Sequence, residues 1–302
     1  MENLYFSDEV NSPMSQARFS AATASKQAVD VRIHPLRSKR SVRVPRHELE
    51  VRLADLQQDY AQLHTEIFEA AQVHRRLCAP RHVSFGNFEI ASEIFAVRHL
   101  PGDFFTVEEK SDGVILALGD ICGKGLAAGM WTTHLVGLVG ARVATTSRPE
   151  AIVAGVNRDL CLLTSFMPLA SLFLAKLDPV TGLVSYCSAG HPPALLLRAN
   201  GELELLSQGG MLLGVMPATP YVCGSFELKA GDVLMVYSDG ITESVNFTGE
   251  EFGYGRLEDQ LRRAQTGPAD AVLFSVLGAV QDFAATSPLV DDMSLAIVRR
   301  AG

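Results

Sequence analysis

Apolar, strand-like runs in this sequence end in aspartate, and this feature restricts the fold more than any other. Asp120 follows the apolar run 114–118, and Asp239 follows the run 233–238 and directly precedes Gly240. An ionised carboxylate at the end of a buried strand is costly unless it is paired or bound to a cation. The chain must therefore bring partners for these carboxylates to the ends of its strands.

Three further aspartates flank predicted strands. Asp291 and Asp292 immediately precede an apolar run that continues through Ile297, and Asp103 follows Gly102 at the start of another strand. One such aspartate alone is most often a turn or cap residue, but four positions of this kind favour a shared cation site. Hard divalent cations such as Mg²⁺ and Mn²⁺ take oxygen ligands, and the sequence has no His-x-His, His-Glu-x-x-His or paired cysteines of a zinc site.

The order of the predicted elements indicates the fold class. Strand-like runs and helical runs follow one another in groups, which predicts an α+β domain with mainly antiparallel sheets. The predicted strands are 88–97, 103–108, 114–120, 171–177, 183–188, 194–198, 202–206, 224–228, 233–237 and 293–299. The predicted helices of this domain are 125–145, 149–164, 256–263 and 268–284.

A heptad pattern precedes the strands. Leucines and other apolar or aromatic residues from Leu49 to Leu77 are spaced alternately by four and three residues over four heptads, about 42 Å of helix. A helix with this stripe needs a partner. The pattern favours a coiled coil that makes the protein a homodimer, and the alternative is a helix packed on its own domain. Pro80 ends the helix. The expected organisation is a basic, disordered arm (1–45), a linker helix (46–79) and a catalytic domain (80–302).

Composition restricts the partners and the compartment. The formal charge of −8 argues against a nucleic-acid binder, although the arm carries six basic residues and no acidic one between Arg32 and Arg46. That stretch is read as a solvated tail, with a polybasic contact to acidic partners as the alternative. No apolar run reaches the length of a membrane span, and the five cysteines are expected to be buried free thiols. We therefore expect a cytoplasmic protein.

Five motifs carry a family resemblance. They occur in the expected order and resemble those of the SpoIIE/RsbU family of bacterial PPM-type phosphatases. The motifs are LPGDFF (100–105), GDICGKGLAAGM (119–130), SAGHPPA (188–194), YSDGITE (237–243) and DDMS (291–294). The segment 69–77 is similar to the linker helix that precedes such domains. Two positions depart from the family pattern: Pro101 replaces a glycine, and Thr106 stands where a second aspartate is frequent.

The resemblance implies the architecture and the ligands. The fold would be two antiparallel sheets packed as a sandwich and flanked by helices, with two Mn²⁺ or Mg²⁺ ions at one end. Asp120 would bridge the ions, and the Ile121 carbonyl would be a further ligand. Asp239 and Asp291, with Asp292 beside them, would complete one ion, and Asp103 would serve the other directly or through water. Gly123 and Gly240 would allow close backbone approach, and His191 would be structural.

The resemblance also implies the reaction. A water activated by the two cations would attack phosphoserine or phosphothreonine in line, on a substrate such as an anti-sigma factor antagonist of the STAS type. Two alternatives remain open at this point. The chain could be a phosphatase-fold module that binds its partner without turnover, or an unrelated metal-dependent hydrolase that acts on phosphodiesters or nucleotides.

Overall fold

The computed structural model describes residues 45–78, 82–163 and 168–300. By its internal contacts the chain divides into two units, 1–53 and 54–302. Of the first unit only the start of a helix is described, so the expected basic arm lies outside the described residues. The second unit contains every strand. Among the described helices none is long and apolar enough to cross a membrane.

Two six-stranded sheets form the second unit. Sheet A has the order β1-β2-β12-β11-β7-β8, and sheet B has the order β10-β6-β5-β4-β3 with β9 added beside β6. Every pairing is antiparallel except that of β6 with β9. The strands are β1 (His82–Phe85), β2 (Phe88–Phe95), β3 (Phe104–Lys110), β4 (Gly113–Ile121), β5 (Ala170–Leu177), β6 (Leu183–Ala189), β7 (Ala194–Leu197), β8 (Leu203–Leu206), β9 (Gly209–Gly210), β10 (Gly224–Glu227), β11 (Val233–Tyr237) and β12 (Met293–Arg300).

Helices pack on the outer faces of both sheets. The described helices are α1 (Arg46–Cys78), α2 (Leu126–Thr145), α3 (Pro149–Leu163), α4 (Asp239–Thr242), α5 (Gly253–Ala264) and α6 (Ala269–Ala284). Sheet A packs against α6, which α5 supports, and sheet B packs against α2 and α3. The expected sandwich of two antiparallel sheets flanked by helices is confirmed.

Burial on both faces explains why the central strands are apolar without a break. On β11, Leu234 and Val236 point into the core between the sheets, whereas Val233, Met235 and Tyr237 pack in the cluster with α5 and α6. Successive side chains of a strand point to opposite faces, so a strand buried on both faces has no position for a charged residue. The charges of such a strand can lie only at its ends, which is where the aspartates are.

Several details differ from the sequence prediction. β1 and the one-turn α4 were not predicted, and α5 begins at Gly253 rather than at 256. The cysteines were expected to be buried, but this is wrong for Cys122, which is exposed; Cys78 and Cys187 are buried, and all five are free.

The linker helix forms as predicted and ends at Cys78, two residues before Pro80. Its heptad residues are largely exposed: Leu56, Tyr60 and Leu63 keep 65%, 69% and 55% of their surface. Only His74 and Cys78 of this helix are buried. The coiled coil stays a prediction.

Candidate active site

One end of sheet B carries a row of polar side chains. Asp120, the penultimate residue of β4, pairs directly with Ser171 of β5. On the other side of β4, Asp103 immediately precedes β3, whose first residue, Phe104, pairs with Gly119. The charge of Asp120 raises the pKa of Asp103, so the two carboxyl groups act on each other. The register therefore places Asp103, Asp120 and Ser171 side by side.

Sheet A brings three more carboxylates to the same place. Asp239 lies two residues after the end of β11 and begins α4, and Asp291 and Asp292 lie just before β12, the neighbour of β11. All three contribute to raising the pKa of Asp120 through their negative charges. The structure thus brings together the five aspartates that the sequence singled out.

Asp103 is the most buried of these groups, with 1% of its surface exposed. Burial raises its pKa well above the ordinary value, and the neighbouring charge of Asp120 raises it further. The hydroxyl groups of Ser294 and Ser238 act in the opposite direction, because they donate hydrogen bonds to the carboxylate. A carboxylate in this setting needs a cation or a proton.

Asp120 and Asp239 have raised pKa values for the same reasons. Burial raises the pKa of Asp120 to about 6, with repulsion from Asp239 and Asp291 adding to the effect. For Asp239, burial is again the first cause and repulsion from Asp291 the second. Like charges that raise each other's pKa values in one concave place mark a functional site.

Asp292 organises the neighbouring loop. Its Oδ1 accepts a hydrogen bond from the Val97 N–H and its Oδ2 one from the Gly102 N–H, both at 2.7 Å. The Gly102 carbonyl in turn accepts a hydrogen bond from the Thr132 hydroxyl. These contacts hold the loop that leads to Asp103. That Asp292 is also a metal ligand stays a prediction.

Two cationic side chains at the site were not predicted. The Lys124 ammonium lies 2.7 Å from Asp291 Oδ2 and donates a hydrogen bond to the Val290 carbonyl. Arg98 lies over Gly125, whose missing side chain leaves room for it: a Cβ there would lie 3.3 Å from both Cδ and Nη1 of Arg98. Lys124 stands between Gly123 and Gly125, four residues after Asp120, and that position was the available sequence signal. No sequence pattern around Arg98 indicates that it lies at this site.

Backbone oxygens approach the carboxylates because glycines leave space. A Cβ on Gly102 would lie 3.1 Å from the Ile121 carbonyl oxygen and 3.4 Å from Asp120 Oδ1, so these two oxygens border the space that the missing side chain leaves. A Cβ on Gly240 would collide with the Asp292 carbonyl oxygen. The expected close approach is therefore found at Gly240. Glycine is needed at position 123 for another reason. Its φ is 129°, a backbone conformation that favours glycine, and nothing lies within 4 Å of a Cβ there.

The donors at this end of the sandwich fit a hard divalent cation. They are all oxygens, several are carboxylates with raised pKa values, and one backbone carbonyl joins them. As the side chains stand, no three His, Cys, Asp or Glu residues of the described chain are arranged around a common metal position. Lys124 neutralises Asp291. A cation would have to compete with this contact.

A groove of about 470 Å³ adjoins the carboxylates. Its lining includes Asp120, Asp239, Ser171, His191 and Leu212. Cys122 also lines the groove, and burial together with the charges of Asp120 and Asp239 raises its pKa. Its thiol is therefore a poor nucleophile near neutral pH.

Known proteins are similar to this chain in sequence and in fold. A family model described as Stage II sporulation protein E (SpoIIE) matches residues 110–301. Phosphoserine phosphatase RsbU of Bacillus subtilis (strain 168) is 22% identical over 242 residues, 79% of this chain and 71% of RsbU. Protein IcfG of Synechocystis sp. (strain ATCC 27184 / PCC 6803 / Kazusa) is 25% identical over 234 residues, 67% of this chain. The match covers only 36% of IcfG.

Solved structures agree on the architecture. The SiaA-PP2C domain of Pseudomonas aeruginosa superimposes with a TM-score of 0.70 at 16% identity, covering 81% of this chain and 99% of that domain. The catalytic domain of the serine/threonine protein phosphatase PstP, solved with two manganese ions, gives a TM-score of 0.52 at 16% identity, covering 71% and 99%.

The two-sheet sandwich with acidic residues at one end is the architecture of the PP2C, or PPM, class of protein phosphatases. Within that class the chain belongs to the SpoIIE family, whose model matches almost two thirds of its residues.

Proposed function

We propose that this protein is a metal-dependent serine/threonine protein phosphatase. The observation that carries the proposal is the convergence of Asp103, Asp120, Asp239 and Asp291 from both sheets on one end of the sandwich. Carboxylates that share such a place repel each other and are costly unless cations balance them. Membership of the SpoIIE family and the similarity to phosphoserine phosphatase RsbU point to the same reaction.

Two divalent cations, Mn²⁺ or Mg²⁺, would be held by the oxygens of this cluster. Asp120 would bridge them, the Ile121 carbonyl and Asp239 and Asp291 would complete the ligand set with Asp292 beside them, and Asp103 would serve the second ion. The structure of PstP with two manganese ions supports this number. Such ions lower the pKa of a water and neutralise phosphoryl oxygens.

The chain's own groups would bind and orient the phosphate. Lys124 places a positive charge beside Asp291, and Arg98 places one at Gly125, which precedes α2, whose N-terminal N–H groups favour an anion. Asp292 fixes the loop that carries Asp103. Direct attack by a water that cations activate needs no covalent enzyme intermediate.

The substrate would be a phosphoserine or phosphothreonine on a small signalling protein, an anti-sigma factor antagonist of the STAS type. The name of the relative RsbU, phosphoserine phosphatase, supports the chemical class. We further propose that the protein acts in the cytoplasm as a homodimer joined by the exposed heptad face of α1.

Hydrolysis of a phosphoserine peptide and of p-nitrophenyl phosphate, with Mn²⁺, with Mg²⁺ and with EDTA, tests the activity. Wild type, Asp120→Asn and the control Asp259→Asn, an exposed helix position, should be compared. Turnover that needs metal, is lost in Asp120→Asn and persists in Asp259→Asn is the expected result. If wild type binds Mn²⁺ by calorimetry yet hydrolyses neither compound, the chain is a binding module and the proposal is wrong. Preference for phosphodiesters would also overturn it.

A further inference from the structure

The groove beside the carboxylates contains a pair of uncharged polar side chains that the proposed reaction has not yet used. Ser171 lies next to Asp120 on the neighbouring strand and lines the groove with it. Side chains of directly paired residues on one face of a sheet lie about 5 Å apart at Cβ. The Ser171 hydroxyl is therefore within reach of a molecule that contacts the Asp120 carboxylate.

His191 holds this hydroxyl. Its Nδ1 lies 2.8 Å from Ser171 Oγ. The ring is 5% exposed, and its position is fixed by the turn that contains it, where the Ser188 hydroxyl donates to the His191 carbonyl and the Gly190 N–H donates to Gly210. A buried ring in a fixed turn restricts the rotation of the hydroxyl that it contacts.

The His191 ring is uncharged near neutral pH. Burial lowers the pKa of His191 to about 3, so the imidazole is neutral near pH 7 and carries one N–H. The Tyr237 backbone opposes this shift, and Nε2 has no hydrogen-bond partner in the described chain. A neutral ring with its N–H on Nε2 accepts the Ser171 proton at Nδ1.

That tautomer gives the groove a directed acceptor. With the Ser171 proton pointing to His191, the lone pairs of Ser171 Oγ are left for the groove, beside Asp120. An acceptor at this place suits a molecule that donates protons, which is water.

We propose that Ser171 orients the attacking water beside Asp120 and that His191 is the positioning residue that keeps the Ser171 oxygen available as an acceptor. This inference rests on the proposed phosphatase function and deepens it. It gives His191 a part in the reaction, whereas the sequence predicts only a structural role for this residue. It also predicts that the pair affects the rate of turnover rather than the binding of metal or substrate.

Steady-state kinetics with a phosphoserine peptide and Mn²⁺ tests the pair. Ser171→Ala should lower kcat about tenfold with KM changed less than twofold, because one oriented hydrogen bond is lost. Ser171→Thr keeps the hydroxyl and should recover most of the rate. Ser225→Ala, an exposed serine on β10, is the matched control. Calorimetric Mn²⁺ titration should give the same affinity for all four proteins, which separates an effect on water from damage to the metal ligands.

Two substitutions of His191 distinguish positioning from packing. An asparagine amide reaches the place of Nδ1 and a glutamine amide that of Nε2, so His191→Asn should keep far more of kcat than His191→Gln. Combining His191→Gln with Ser171→Ala should cost no more than Ser171→Ala alone, because both remove the same interaction. Additive losses, or a Ser171→Ala enzyme with wild-type kcat, would overturn the inference and leave the phosphatase intact. A wild type without turnover would instead overturn both.

Discussion

The buried carboxylate of Asp103 accepts a hydrogen bond from the hydroxyl of Ser294, which lies 191 residues further along the chain. Asp103 leads into β3 of sheet B, and Ser294 is the second residue of β12 in sheet A. The Ser294 N–H also donates a hydrogen bond to the Ser238 hydroxyl oxygen at 2.9 Å. The hydrogen bond between Ser294 and Asp103 joins the two sheets at the end where the carboxylates meet. It also favours the ionised form of Asp103, the most buried of these carboxylates.

We expect Ser294→Ala to weaken the binding of Mn²⁺. The hydroxyl lowers the pKa of Asp103 against the effect of burial, so without it a proton competes more strongly with the cation. Affinity measured by calorimetry should fall about tenfold at pH 7, and the loss should grow at pH 6 and shrink at pH 8. Thr219→Ala, which also removes a buried hydroxyl, should leave the affinity unchanged. An equal loss at all three pH values would contradict the explanation.

The acidic cluster should make the metal-free protein less stable as the pH rises from about 4 to 6. The folded-state pKa of Asp120 is about 6 against an ordinary value of 3.8, so the folded chain holds this proton more tightly than the unfolded chain. That contribution, on the order of 2 kcal/mol, is present below pH 4 and is lost as the pH passes 6.

Urea unfolding in EDTA of wild type and Asp120→Asn measures this effect. From pH 4.5 to 7, the unfolding free energy of wild type should fall relative to that of Asp120→Asn. Mn²⁺ at pH 7 should reverse this change. His191 acts in the opposite direction, since its lowered pKa makes stability fall as the pH falls below 6.5, but it is present in both proteins and cancels. A difference that does not vary with pH would show that Asp120 ionises normally.

The sequence predicts the parts of this site that depend on local pattern. An aspartate at the end of an apolar strand is visible as a motif, and the antiparallel sandwich follows from the order of the runs. β1 was missed because it is a short, half-exposed edge strand, and α4 because a single turn carries no periodicity.

Contacts between distant segments could not be predicted in this way. Lys124 and Asp291 form an ion pair although they are 167 positions apart in the sequence. The hydrogen bond from Lys124 to the Val290 carbonyl joins residues 166 positions apart. Arg98 lies near Gly125 and belongs to the loop that the Asp292 carboxylate holds at Val97 and Gly102. Such pairs depend on how the sheets stack, and no local spacing specifies that.

Arg98→Gln should raise KM for a phosphoserine peptide about tenfold with little change in kcat. The guanidinium lies over the start of α2, where an anion is favoured, and a charge-assisted hydrogen bond to phosphate is worth about 1.5–3 kcal/mol. Inorganic phosphate should become a correspondingly weaker competitive inhibitor. Arg263→Gln, on the last turn of α5, is the control with the same change of charge. A lowered kcat with normal KM would place Arg98 in another role.

The exposed heptad face of α1 should decide the oligomeric state. Replacing Leu56 and Leu63 by glutamate puts charges into the proposed seam, whereas Gln58→Glu with Ala61→Glu adds the same charge on the opposite side of the helix. Sedimentation at micromolar concentration should find a monomer for the first double variant and a dimer for wild type and the second. Substitution is preferable to deletion of residues 1–78, because His74 and Cys78 at the end of α1 are buried and their removal would disturb the domain itself. A wild type that sediments as a monomer would rule out the coiled coil and leave the exposed stripe for a different partner.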